Sequence, residues 1–549
     1  MDPIRIRDFG KLALNTDIED TLLQPGEWSV LDNIDIESGD IRSAWGDTQV
    51  TDVPPVTPTY MYVFEGVTDT WLVISDGESV YAYNGVSWRD ITPSSTAVTD
   101  TLWSTATADI GNWEDATITW GEAQTGGTDV TVDGDVFFTN FQGILIVSST
   151  LGEPTYWPSE GSSRLEPLPG WGTGWVGAPV VAYGSHLFCI GLNDGSTAGS
   201  KYRVVWSDAA VEGEVPQEWE TAADNLAGSV QLRDTDGYLV NAKILRNDLL
   251  IFKNDSIYRC IATAATVGGV PLVFQFERVI SDHGCDSPWG MDTIGNGCYF
   301  VDRGDLRIFD GQVTQSLTAL RVKENLVLTV SNEYRDRTYV VAFPEREQLW
   351  IGIVRAGETQ ISSVLLYDLI HNGWTTKRYS ALAMTRGPFS ATSETPSGGE
   401  TWATVMGTWS TIEDVWGEGA IEPSEDTIVF GNATLICRAD KTNTDHLGQP
   451  KPCVAERTGF LIAGLNQRVT MKAIYPEMEG GPVQVQIGYQ WVPGGAVAYA
   501  PAKTFTPGVD RKLVCRVTGI PCALRITSQQ SQGWRLGGMS FEAVPAGRR

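Results

Sequence analysis

Four histidines are all that 549 residues contain: His186, His283, His371 and His446. None belongs to an H-E-x-x-H motif or lies beside another at ligand spacing. His371 and His446 stand in the polar turn text "IHNGW" and "TDHLGQ". The eight cysteines, at 189, 260, 285, 298, 437, 453, 515 and 522, are as scattered and form no C-x-x-C. These shortages leave no sequence basis for a zinc centre or a thiol redox pair. Also missing are a G-x-S-x-G elbow, a P-loop, a G-x-G-x-x-G that opens a helix, and the repeated Asp-box of sialidase propellers. With 68 Asp and Glu, acid pairs of the glycosidase kind arise by chance everywhere. The chain is therefore expected to be no enzyme, with no catalytic, cofactor-binding or metal site and no cofactor.

Positive charge is scarce as well. Lys and Arg number 39 against those 68 acids, a net charge of −29. Such a surface repels DNA, RNA and anionic membranes instead of gripping phosphate. Solubility is the ordinary reason for it; a wall that DNA must pass without sticking is the sharper one. No apolar run reaches 18 residues, so no membrane-spanning segment is expected. The opening "MDPIRIRDFGKLALNTDIED" lacks the apolar core of a signal peptide. Most cysteines, such as Cys189 in "HLFCIGL" and Cys298 in "GCYFVD", sit in apolar strand text and read as reduced core thiols. Only Cys515 and Cys522 are spaced to pair across a hairpin.

Helical text is the last shortage. No long stretch has the Ala/Leu/Glu/Lys richness of a bundle, and the one fair helix candidate is 316–331, "SLTALRVKENLVLTVS". What the chain has is Gly (58), Pro (27) and 20 Trp, 17 Tyr and 17 Phe. These favour turns and strands. Residues 1–55 read as an N-terminal arm with a hairpin about Ser38-Gly39. After the Pro-rich "VPPVTPT", short alternating strands run in clusters closed by Gly or Asp-Gly, and Gln142-Gly143 marks another hairpin. Three passages share their wording: "VYAYNGVSWRDIT" from Val80, "LRIFDGQVTQSLT" from Leu306 and "VLLYDLIHNGWTTKRYS" from Val364. A four-stranded unit cannot bury both faces alone, and stacking such units about an axis covers them. The expected fold is all-β. Residues 56–453 form a β-propeller of about seven blades (six to eight would fit), and residues 454–549 a C-terminal β-sandwich. Loop insertions near 95–135 and 388–426 interrupt the propeller.

Several motifs have a plain reading beside a sharper one. Arg303-Gly304-Asp305 spells an integrin-binding tripeptide but reads as a tight turn. Asn254 and Asn432 head sequons by letter only. Asp302, Asp305 and Asp310 lie close enough in sequence to surround a cation, yet read as solvated turn acids. The Trp residues read as packing, or else as a sugar-stacking row.

Several stretches, in order, resemble the tail nozzle proteins of short-tailed (podovirus-type) bacteriophages, also called tail tubular protein B or packaged-DNA stabilization proteins. They are "NIDIESGDIRSAWG", "FTNFQGILIVSSTLGEPTYWP", "YRVVWSDAAVEGEVPQEWE" with Trp206-Ser207-Asp208, Pro216 and Trp219, "LLIFKNDSIYRC", "FVDRGDLRIFDGQVTQSL" and "YDLIHNGWTTK". The resemblance spans most of 30–545. It implies a structural virion protein of the phage tail, made in the host cytoplasm: a homo-hexamer that forms a DNA conduit and gate below the portal. Its implied partners are the tail adaptor (head-to-tail connector), tail fibre or spike proteins, and packaged double-stranded DNA that passes without sequence-specific binding. The two insertions are the first choices for the gate. The alternative is a carbohydrate-binding or depolymerising propeller, a receptor-binding tail protein, which predicts aligned Trp and paired acids.

Overall fold

The computed structural model describes residues 4–548 except 8, 12, 52, 94–130, 196–199, 268–269, 325–328, 390–425, 442–443, 462–466, 492–494, 520–521 and 529–531. Nearly all of both insertions proposed as gates, 95–135 and 388–426, therefore lies outside the described residues. By contacts the chain divides into two compact units. One holds Met1–Pro54, Lys243–Ile261 and Phe276–Arg549; the other holds Pro55–Ala242 and Ala262–Gln275.

Strands take 53% of the described residues, and the fold is an all-β propeller with further sheets, as the sequence leads one to expect. Among the described residues seven four-stranded antiparallel meanders follow one another. The first runs Tyr60–Glu65, Thr70–Ser75, Val80–Tyr83 and Trp88–Asp90. The second runs Val136–Phe141, Ile144–Ser149, Thr155–Tyr156 and Glu166–Pro167, and the third Val180–Tyr183, His186–Ile190, Arg203–Trp206 and Gly228–Gln231. The fourth spans Leu239–Ile280 and contributes residues to both units. The fifth runs Met291–Ile294, Gly297–Asp302, Asp305–Phe309 and Thr314–Ser316; the sixth Tyr339–Phe343, Gln348–Val354, Ile361–Asp368 and Gly373–Lys377. The seventh takes three strands, Ala383–Gly387, Thr427–Gly431 and Ile436–Asp440, from late in the chain. Its fourth, Gly46–Thr51, comes from the arm. That strand precedes the first blade in the chain, so the N-terminal segment completes the last blade.

The three similar passages fall on one structural position. Each is the hairpin between the third and fourth strand of a blade: the first, the fifth and the sixth. Each turn is tied by a side chain. Asn84 Oδ1 accepts from the amides of Val86 and Ser87 at 3.0 and 2.9 Å, and Asp310 Oδ1 from those of Gln312 and Val313 at 2.8 and 2.9 Å. Asp368 Oδ1 accepts from the His371 amide at 2.8 Å. A short acceptor that bonds amides two and three residues on is the physical reason Asn and Asp recur there. Asn432 makes the same kind of turn through the amides of Thr434 and Leu435. Ser38-Gly39, Gln142-Gly143 and Arg303-Gly304 have positive φ at both residues, the backbone of a type I′ hairpin.

An inner propeller strand has one edge with no sheet neighbour, whose polar groups still need partners. In the second unit Asn140 Nδ2 donates to the Glu65 carbonyl at 2.8 Å, and the Val180 amide donates to Ser148 Oγ at 3.1 Å. In the first unit the Ala342 amide donates to Asp292 at 2.9 Å, and Arg386 donates to the Ala342 carbonyl at 2.9 Å. Side chains thus join neighbouring blades where strand pairing does not.

The C-terminal residues build two sheets with the arm. One has the order Ile34–Glu37, Asp40–Ser43, Trp534–Arg548, Gln467–Gly480, Leu513–Gly519, with Ile4–Arg7 also on Trp534–Arg548. In the other, Val30–Asp32 lies between Gly373–Lys377 of the sixth blade and Cys453–Phe460. Their shared core includes Trp28, Leu31, Ile34, Ile41, Leu349, Trp374, Ile474, Ile526 and Leu536, all under 2% exposed.

Within the helix candidate 316–331, Ser316 ends a strand, turns follow, and helical conformation is found at Lys323, Glu324 and Thr329, with 325–328 outside the described residues. The polar groups of that segment go instead into tertiary bonds: Ser316 and Thr318 hydroxyls donate to Asp305 at 2.7 and 2.5 Å, and the Lys323 amide donates to Asp17 at 2.8 Å. Cys515 and Cys522, on strands of different sheets, do not pair. All eight cysteines are buried free thiols. Burial pushes Cys285, Cys437, Cys453 and Cys522 up to about 12 and Cys515 up to about 11. Native protein at neutral pH is thus expected to react very slowly with alkylating agents. Denatured, unreduced protein should take up eight adducts by intact mass. A mass two adducts short would signal a disulfide and contradict the structure.

Candidate functional site

The four histidines do not converge. His186 is buried, with Nδ1 2.8 Å from the Ser207 carbonyl and its ring 5.2 Å from that of Phe274. The other three each meet a buried aspartate through Nδ1: His283 with Asp302 at 2.7 Å, His371 with Asp368 at 2.9 Å and His446 with Asp47 at 2.8 Å. These pairs are separate.

Asp302 and Asp305 are not solvated turn acids. Both are 3% exposed and flank the Arg303-Gly304 turn. Arg307 spans them, at 3.5 Å from Asp302 and 3.2 Å from Asp305, and Lys323 lies 3.2 Å from Asp305. Cations that follow in the sequence neutralise these acids, which is why they tolerate burial. Asp310 caps the next turn and is not part of this set. Among the described residues no group of His, Cys, Asp and Glu has metal-binding geometry. Asp305, being buried, is not displayed as an integrin ligand would be.

Most of the described tryptophans pack. Trp28, Trp157, Trp219, Trp350 and Trp374 are among the largest fully buried side chains. Trp71 meets Trp157 at 5.2 Å, and Trp171 meets Trp219 at 4.8 Å, both edge-on. Trp491, 61% exposed, is the Trp most open to solvent among the described residues.

The densest electrostatic feature is a buried junction within the first unit, where the arm meets the sixth and seventh blades and the segment leading to the C-terminal sheets. Asp35 (1% exposed) lies 3.0 Å from Lys377 (0%) and 3.5 Å from Arg346, and accepts the Trp45 amide at 3.0 Å. Asp47 (0%) on the closing strand meets Lys451 at 3.2 Å as well as His446. The cations also rest on rings: Arg346 on Trp45 at 3.9 Å, Lys377 on Trp350 at 4.3 Å and Lys451 on Tyr379 at 4.3 Å. Burial works to raise the Asp35 pKa, but Lys377 and Arg346 outweigh it and hold the carboxyl well below its usual range. Burial lowers Lys377 to about 8 despite Asp35, with Lys451 and Arg346 adding repulsion. Burial, and then Asp47 and Asp35, drive the Tyr379 hydroxyl far up. The junction binds four parts of the chain together and presents no nucleophile next to a free base. Sequence reasoning missed it: "NIDIESGDIRSAWGDTQV" places its acids where solvated strand residues also stand, and their cations lie more than 300 residues away.

The second unit has a different character. Of its residues 25 are Asp or Glu and five are Lys or Arg (Arg89, Arg164, Lys201, Arg203 and Arg233), a net charge of −20. The loop after the third blade's third strand exposes Glu212, Glu214, Glu218, Glu220 and Asp224, with Val211 68% exposed beside them.

By sequence the chain matches no family model and no curated protein. Among solved structures it is similar to PorZ, an essential bacterial surface component of the type-IX secretion system of Porphyromonas gingivalis, at 9% identity and a TM-score of 0.33. That match covers 84% of this chain, which spans only 46% of PorZ. It is also similar to YCF48 bound to a D1 peptide, at 10% identity and a TM-score of 0.35, covering 72% of this chain and 96% of that one. YCF48 from Cyanidioschyzon merolae matches at 10% identity and a TM-score of 0.29, over 58% of this chain and 98% of that one. The propeller assignment rests on the strand order described above, not on these likenesses. No helix among the described residues is long and apolar enough to cross a membrane.

Proposed function

We propose that this chain is a structural tail protein of the nozzle type: a non-enzymatic, hexameric conduit that retains packaged double-stranded DNA and lets it pass at ejection. Its partners would be a head-to-tail adaptor above and fibres or spikes around it, in a virion assembled in the host cytoplasm. The observation that carries this reading is the net charge of −20 on the second unit, with only five cations. Phosphates near such a surface are repelled, so DNA slides instead of adhering. A propeller whose inner strands are joined by side-chain bonds gives that surface a stiff support. The sequence resemblance to phage nozzle proteins points the same way.

Particles assembled without this chain should lose their DNA, measured as nuclease-sensitive genome per particle. The purified chain should bind duplex DNA no tighter than ~10⁻⁴ M at physiological salt. Particles that keep their DNA but no longer adsorb to cells would overturn the conduit reading in favour of receptor binding.

A further inference from the structure

Residues 454–549 contain 11 Lys or Arg and five Asp or Glu, a net charge of +6 in a chain of −29. Part of that excess gathers on one sheet face. On the strand Gln467–Gly480, Arg468 and Lys472 are exposed while Val469 and Met471 are buried. On the neighbouring strand Leu513–Gly519, Val514 and Arg516 are exposed while Leu513, Cys515 and Val517 are buried. Thr470 and Thr518 hydroxyls meet across the two strands at 2.7 Å, which places both exposed rows on the same face. Lys503 reaches the Val514 carbonyl at 2.6 Å, and Lys512 lies over Tyr475. Glu542 stands at the margin, accepting from Tyr475 at 3.2 Å. Among the described residues no ion pair takes up Arg468, Lys472 or Arg516.

Cations on an edge strand ordinarily guard against unwanted strand pairing. Leu513–Gly519 ends its sheet, so that accounts for Arg516. It does not account for Arg468 and Lys472, which sit on an interior strand. An exposed valine (51% for Val514) ringed by cations has instead the make-up of an interface centre with a polar rim.

We propose that this basic face is the surface by which one copy of the chain docks on the next, seated against the acidic Val211–Glu220 loop of the neighbouring copy. Each loop presents an exposed valine beside Glu212 and Glu214, the counterpart of Val514 beside Arg516 and Lys472. One chain thus carries both halves of a complementary pair. A contact between unlike surfaces is heterologous, so repeating it builds a ring or a filament. Nucleic acid is the other natural occupant of a basic face; the neighbouring copy is favoured because its loop sets an exposed valine beside its acids, so that apolar centre and charged rim are both matched. The inference would supply the contact a ring needs, yet it does not depend on what the ring does.

The test is sedimentation of the purified full chain. Self-association is expected at ~0.05 M salt and should weaken at ~0.5 M as the charges are screened. Lys472→Glu with Arg516→Glu should weaken it at least ~10-fold, without changing the melting temperature, since both side chains are exposed. Glu212→Lys with Glu214→Lys should do the same, and mixing the two variants should restore association. Val514→Asp gives an independent check on the apolar centre. A chain that is monomeric at every salt, or that associates regardless of the reversals, overturns the proposal. So does a Lys472→Glu, Arg516→Glu protein whose only loss is affinity for duplex DNA. Association without any DNA-retention defect in particles would leave this contact standing and remove only the conduit reading.

Discussion

A chain without residues 1–51 should not fold. Removing them takes away the fourth strand of the seventh blade, Gly46–Thr51, and bares the Ile436–Asp440 edge it pairs with. It also removes Val30–Asp32 from between the sixth blade and Cys453–Phe460. Trp28, Leu31, Ile34, Ile36 and Ile41 would leave the core with them. Burying each is worth ~1.5–3 kcal/mol, together on the order of 10 kcal/mol, which is comparable with the ~5–15 kcal/mol that holds a typical domain together. The expected result is an insoluble or proteolysed product. Co-expression of residues 1–54 with 55–549 should recover a soluble complex in which the two pieces co-purify. A soluble, cooperatively melting chain lacking residues 1–51 would show that the arm is an accessory and not a structural member.

The second large effect lies in the buried junction. Asp35→Ala leaves Lys377 fully buried without its nearest carboxylate, so that it must either stay charged unpaired or give up its proton. Breaking a buried pair from one side costs ~3–5 kcal/mol, whereas replacing both partners with apolar groups of similar volume is often near neutral. Lys377→Ala should cost a similar amount, because Asp35 then keeps only Arg346 as a charged partner. The double variant Asp35→Leu, Lys377→Met should therefore be much closer to the wild type than either single change implies. Denaturant midpoints read on Trp fluorescence measure this, since Trp45 and Trp350 lie under the two cations. Additive losses would show that the two charges do not act as a pair. The pH dependence has a definite sign. Asp35 titrates lower in the folded chain than its ordinary ~4. Its contribution is thus complete above that value and is lost as pH falls through the folded pKa. The Asp35→Leu, Lys377→Met variant should resist acid better relative to its stability at neutral pH.

The sequence by itself determined the class of fold. Strand alternation, Asx and Gly turns and the three similar passages all come from local physics: a period of two, a short acceptor that bonds amides two and three residues on, and glycine at positive φ. Those constraints act within a dozen residues, so they were legible at Asn84, Gln142-Gly143 and Asp310 without any tertiary knowledge. The charge of −29 was equally legible, because a total needs no geometry. Only the tertiary structure decided which acids stay in water. Asp302 and Asp305 read as turn acids, yet they are buried because Arg307 and Lys323 fold back over them. Asp35 and Asp47 carry no mark of burial in the arm's local pattern, and are buried because Lys377 and Lys451 arrive from more than 300 residues downstream. The arm itself became a closing strand for the same reason. A strand's partner is whichever edge the completed fold brings to it, and that pairing leaves no mark in the local pattern of either strand.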